Sequence, residues 1–184
     1  MVGNNLLKTK KGRLAAFFIL YVSEGLPQGF TGLALALEFK RMGMSGAALG
    51  TFAATIMMPW TWKFIMGPFV DNLHFKRFGQ RKQWIVVSQI GMLLTLCLSM
   101  CFFPTIQDGQ MFGMTLFTAL LVIHNVFAAT QDVAIDGLAC TTLAEEERGI
   151  GNGLMFAGAQ LGAAIGGSGV LYLKEILGFQ MASM

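Results

Sequence analysis

The chain has 184 residues, of which 54% are hydrophobic and only 12% charged, with 16 Phe, 13 Met, a formal net charge of +3 and a mean hydropathy of +0.61. These values fall outside the range of soluble globular domains and indicate an integral membrane protein. The polar segments are too short to form a soluble catalytic domain, and no cofactor or metal-ligand pattern occurs among them.

Residues 1–13 form a polar tail. Five apolar runs follow, over about 14–37, 47–69, 84–103, 111–139 and 149–173, each near the roughly 20 residues that a helix needs to cross hydrocarbon. The runs are continuous and lack the short-period alternation of a transmembrane barrel, so the expected fold is all-α with five transmembrane helices. No small-residue cleavage site follows the first run, which is therefore expected to stay as a span. Lys8, Lys10, Lys11, Arg13, Lys76, Arg77, Arg81, Lys82 and Arg148 fall on one side of this arrangement, against Lys40, Arg41 and Lys174 on the other. That bias predicts a cytoplasmic N-terminus. Basic clusters beside spans, without a stacking platform, are topology signals and argue against nucleic acid as a partner.

In the first span, Glu24 lies about 15 Å from the inner boundary, near the midplane. There it is either a protonatable carrier or a neutral carboxyl hydrogen-bonded to a neighbouring helix. Pro27 removes a backbone donor and, with Gly25 and Gly29, loosens the same stretch. In the second span Lys63 either snorkels to the inner interface or pairs with Asp132, which lies at a similar depth on the fourth. The loop after it carries Gly67, Asp71 four residues on, then Gly79, Arg81 and Lys82.

Cys97 and Cys101 in the third span and Cys140 in the fourth read as packing residues, with neither a disulfide framework nor a metal site implied. In the fourth span His124, Ala128, Asp132 and Asp136 recur every four residues, flanked by Asn125 and Gln131, which predicts one polar stripe. Acids near a helix C-terminus are opposed by the dipole, so Asp132 and Asp136 need a donor or a cation. His124 alone reads as a hydrogen-bonded packing residue or a proton relay. Gly158, Gly162 and Gly166 in the fifth span form a small-residue ridge suited to close helix packing. Asp136-Gly137 resembles the start of a lipid-alcohol phosphotransferase signature, but Cys140 and Thr141 occupy its Ala and Arg positions and no later acids follow. The chain is not expected to be an enzyme.

The loop pattern Gly67, Asp71, Gly79, Arg81, Lys82 between the second and third spans resembles the cytoplasmic loop motif of the major facilitator superfamily. Within it, GLP at 25–27, KFIMGPFVD at 63–71, FGQRKQW at 78–84, ATQDVAIDG at 129–137 and EERG at 146–149 are similar to AmpG-type muropeptide permeases and the related acetyl-CoA transporters, over about residues 14–175. The resemblance implies a proton-linked importer of a small solute such as an anhydromuropeptide, working by alternating access in the bacterial inner membrane. Acetyl-CoA or drug transport within the same family, or a noncatalytic signalling or assembly role, are the alternatives. It further implies that Lys63, Asp132 and Asp136 belong to the central cavity and its inner gate, and that Asp71 and Arg81 form a conformational latch. Read from the residues, Glu24, His124 and Gln131 join the solute and proton pathway, although Glu24 stands where many relatives carry a small polar residue, and Gly67, Gly79 and Lys82 join the latch. The fifth span has Ala163 where the antiporter glycine motif carries proline. Such transporters have about twelve helices in two halves. Five spans are therefore expected to be a truncated N-terminal half, completed by a missing C-terminal half or a partner chain.

Overall fold

The structure is a computed structural model that describes residues 6–73, 79–109 and 111–182; Lys76, Arg77 and Phe78 lie outside them. A 3-10 turn at Leu6–Lys8 leads into α1 (Lys10–Gly29), a π-helical turn (Phe30–Ala34) and α2 (Leu35–Arg41). Then come α3 (Gly46–Met57), a 3-10 turn (Met58–Trp62), α4 (Lys63–Asn72), α5 (Gln80–Cys101), α6 (Phe103–Gln107) and α7 (Met111–Thr142). The last elements are α8 (Glu145–Ala164), a second π-helical turn (Ile165–Gly169), α9 (Val170–Leu177) and α10 (Phe179–Ala182). The described residues contain helices and no strands. Three helical stretches, Gln80–Cys101, Met111–Thr142 and Glu145–Leu177, are long and apolar enough to cross a membrane.

Two departures from uninterrupted helices have local causes. Pro59 stands in the Met58–Trp62 turn, and a proline has no N–H to continue α-helical bonding, so the apolar run 47–69 becomes α3, a 3-10 turn and α4. The first run passes through Pro27 and widens just beyond it into the π-helical turn, where Thr31 Oγ1 donates to the Pro27 carbonyl at 2.9 Å.

α1 and α8 run parallel and pack closely along their lengths, while α7 packs against α5, α4 and α3. The first contact is made by glycine on both sides. A Cβ at Gly25 would strike the Ala159 carbonyl and one at Gly29 the Ala163 carbonyl. Cβ atoms at Gly158, Gly162 and Gly166 would meet the carbonyls of Phe18, Val22 and Leu26. At one end of this pair Arg13 grips Glu147, Nε to Oε2 at 2.9 Å and Nη2 to Oε1 at 2.6 Å. At the other, Lys174 pairs with Glu38 and lies over the Phe179 ring.

Two apolar clusters occupy the ends of the bundle. One gathers Phe30, Phe39, Phe52, Phe103, Phe117 and Phe179; the other holds Phe17, Val70, Ile85, Ile135, Leu143 and Met155. Several buried polar residues of three long helices fall between them: Glu24 on α1, Ser88 and Thr95 on α5, and His124, Asn125, Gln131 and Asp132 on α7. The bundle thus has a polar waist. Because the α1–α8 approach is backbone to backbone, Gly162→Leu is expected to cost about 1–3 kcal/mol or more. Its thermal midpoint in detergent should fall well below that of a Leu161→Ala control on the exposed side of the same helix; equal midpoints would contradict the contact.

Candidate functional site

The charged part of the waist is built from α1, α4 and α7. On α1, Tyr21 and Glu24 are three residues apart and share a face; on α7, Asp132 and Asp136 are four apart and share another. These two faces meet. Tyr21 donates its hydroxyl to Asp136 Oδ1 at 2.5 Å, and Lys63, the first residue of α4, forms an ion pair with Asp132. Glu24 is 8% exposed and Asp132 6%. Asp132, Lys63 and Asp136 lie within electrostatic reach of Glu24, so three carboxyls and one ammonium gather at this level. Asp136 is the exposed member and borders a depression with Cys140, Arg148 and Asn152.

The remaining polar residues of α7 do not join that group. His124 Nδ1 lies 3.1 Å from the Met92 carbonyl and 3.4 Å from Thr95 Oγ1, so its ring faces α5. A spacing of four residues drifts by about 40° per step around a helix, so a stripe read as straight from His124 to Asp136 spirals by roughly a third of a turn. That carries His124 to α5 and Asp136 to α1. Gln131 is fully buried, and among the described residues neither its Oε1 nor its Nε2, nor Ser88 Oγ, nor Glu24 Oε2, has a hydrogen-bond partner. Buried polar atoms without partners cost about 1–3 kcal/mol each, so their concentration in one layer is a feature to be explained by what the layer does. A mainly apolar cleft of about 410 Å³, lined by Ser23, Pro27, Gln89, Met92, His124 and Gly166 among others, adjoins the waist but includes none of the four charged residues.

At the end of α4, Asp71 Oδ1 meets Arg81 Nη2 at 3.0 Å. Gly79 takes φ of +79°, a left-handed conformation that only glycine adopts without strain, and this turns the chain into α5. The Gln80 side chain then bonds the Asp71 carbonyl, while Gln83 Nε2 and Trp84 Nε1 donate to the Leu73 carbonyl at 2.7 and 2.9 Å, capping α4. Gly67 borders open space and Lys82 is exposed, so neither is drawn into this cluster. A residue outside the loop is drawn in: the Arg81 guanidinium lies directly across Gly137 of α7, filling the place of a Cβ. Tyr21, Trp60 and Gly137 escape a reading by sequence spacing, although Tyr21 precedes Glu24, and Trp60 precedes Lys63, by three residues.

A chain whose described residues are helical and include three apolar helices of membrane-crossing length is an integral membrane protein. This one belongs to the family described as acetyl-coenzyme A transporter 1, whose model matches residues 14–176. It is 30% identical over 173 residues to the putative transporter AmpG 4 of Rickettsia conorii, a match covering 92% of this chain and 40% of that protein. It is also 27% identical over 163 residues to the anhydromuropeptide permease of Escherichia coli K12, covering 89% and 32%. The chain thus spans less than half the length of these curated relatives. No solved structure matches significantly. The resemblance drawn from the ordered motifs is the family the comparisons show.

Gly137→Ala is expected to push Arg81 off α7 and weaken its half-exposed contact with Asp71, lowering stability by no more than about 1 kcal/mol. Thermal midpoints of Gly137→Ala, Arg81→Ala and the double variant check this. Non-additive losses are expected, and losses that simply add would separate the two residues.

Proposed function

We propose that this chain forms the N-terminal helical part of a proton-linked secondary transporter that moves an organic solute by alternating access. Glu24, Lys63, Asp132 and Asp136 would carry the coupling. The observation that carries this reading is the pair between the partly exposed Lys63 and the buried Asp132, with buried Glu24 beside it, placed between two apolar clusters and spanning three helices. Buried charges each cost several kcal/mol in lost hydration and persist where pairing or a wet passage supplies a counterpart. A proton arriving on the acids weakens their hold on the ammonium. This frees α4 from α7, and the 3-10 turn at Met58–Trp62 offers a place to bend. Gln131 and Ser88, with unpaired polar atoms in the same layer, are suited to meet water or solute. The Asp71–Arg81 contact on Gly137 is a latch at one end of the same helices, while Gly158, Gly162 and Gly166 allow close sliding contact with α1.

In this reading five helical segments cross the bacterial inner membrane, with the N-terminus cytoplasmic. A second helical unit, in the same or another chain, completes the solute path. The solute is an anhydromuropeptide, by likeness to the permease relatives; the family description makes acetyl-CoA the second candidate. Uptake of both labelled compounds into proteoliposomes carrying the full-length transporter decides between them, and no uptake of either counts against transport of this kind. For the site itself, Asp132→Asn and Lys63→Ala are expected to reduce uptake at least about tenfold while leaving membrane insertion intact. Wild-type uptake in both would remove the pair from the mechanism.

A further inference from the structure

Lys63 follows directly on the 3-10 turn Met58–Trp62, which places Trp60 three residues before it. In 3-10 geometry residues i and i+3 eclipse, whereas along an α-helix they are offset by about 60°. The ammonium is therefore carried over the indole, with Nζ 4.8 Å from the ring centroid, a cation–π arrangement. The ring does not float. Trp60 Nε1 donates to Asn125 Oδ1 at 2.8 Å, and Asn125, itself buried, donates from Nδ2 to the Leu121 carbonyl at 2.9 Å. Asn125 sits on α7 two turns before Asp132. The same helix thus holds the ammonium twice, once through the carboxylate and once through the tryptophan. A third contact, Thr130 Oγ1 to Met66 Sδ at 3.6 Å, joins α4 to α7 on this side.

The ionisable groups around Lys63 are Asp132 and Asp136 from α7 and Glu24 and Tyr21 from α1. α3 contributes no ionisable residue. His124 is turned to α5, and Arg81 is occupied with Asp71 at the end of α4. Lysine is a flexible point charge on a long stem, and the acids alone do not fix where it rests.

We propose that Trp60, anchored on Asn125, is a positioning residue that holds the Lys63 ammonium against Asp132 and thereby sets the pH at which the acid cluster takes up its proton. The proposal rests on the proton-linked reading above. With the indole removed, the ammonium spends less time beside the carboxyls. Because a nearby positive charge favours their ionised form, the cluster then accepts a proton at higher pH.

The test is the initial rate of solute uptake against external pH, using the full-length transporter in proteoliposomes with Trp60→Leu, Trp60→Phe and Asn125→Leu. Trp60→Leu and Asn125→Leu are expected to raise the midpoint by about one pH unit. Trp60→Phe keeps a ring face but loses the N–H, and should shift it less. A midpoint unmoved in all inserted variants, including a case where only the maximal rate falls, overturns the assignment. Should Trp60→Leu fail to insert, Trp60→Phe and Asn125→Leu decide on the same criterion. Uptake by the wild type that does not depend on pH would overturn the proton-linked reading itself. A pH-dependent wild type with unmoved variants overturns this proposal alone.

Discussion

The cost of keeping charge away from water shapes the middle of this molecule. An ammonium and a carboxylate can share a low-dielectric interior only where their geometry is fixed and their other hydrogen-bonding needs are met nearby. Lys63 and Asp132 meet the first requirement through neighbours on three helices. The apolar clusters on either side of the waist do the rest: they hold the helix ends together whatever happens between them. A layer of this kind can change its internal pairing without melting the bundle, and a working site inside a membrane requires that separation.

The second organising contact is the pairing of α1 with α8. Apolar burial gives little preference for one helix neighbour over another when the surroundings are equally apolar, so association depends on close shape and on polar pairs. Glycines on both helices remove the side chains that would hold the backbones apart, and the Arg13–Glu147 and Glu38–Lys174 pairs pin the two ends. Glu24 is presented to α4 and α7 by a helix whose opposite face is fixed in this way.

Much of this was legible in the residues because the relevant signals are one-dimensional. Long apolar runs announce helices regardless of context, and α7 and the Glu145–Leu177 stretch match their runs to within a few residues at each end. Matched depths along two helices offered the pairing of Lys63 with Asp132 as one of two readings, beside snorkelling, and the structure shows the pair. Azimuth was harder to read. A spacing of four looked like a straight stripe, yet the drift of the helix sends His124 to α5, and the spacing alone said nothing of which helix stands where. Trp60 was invisible because its link to Lys63 depends on a 3-10 turn, and the apolar run gave no sign of that beyond Pro59. Gly137 was equally hidden, since its neighbour Arg81 reaches it only through the folded loop.

The two π-helical turns lie side by side, Phe30–Ala34 against Ile165–Gly169, and the flanking ion pairs join residues 134 and 136 positions apart. The two helices therefore keep almost the same count from one end to the other, each carrying its extra width at the same level. A π-helical turn takes up one residue more than the α-helical turn it replaces, so deleting a residue from either would let that helix relax to regular α-helix and leave a widened turn facing a narrow one. A twin deletion in the other helix restores the match, so relatives are expected to gain or lose residues at these two places in tandem.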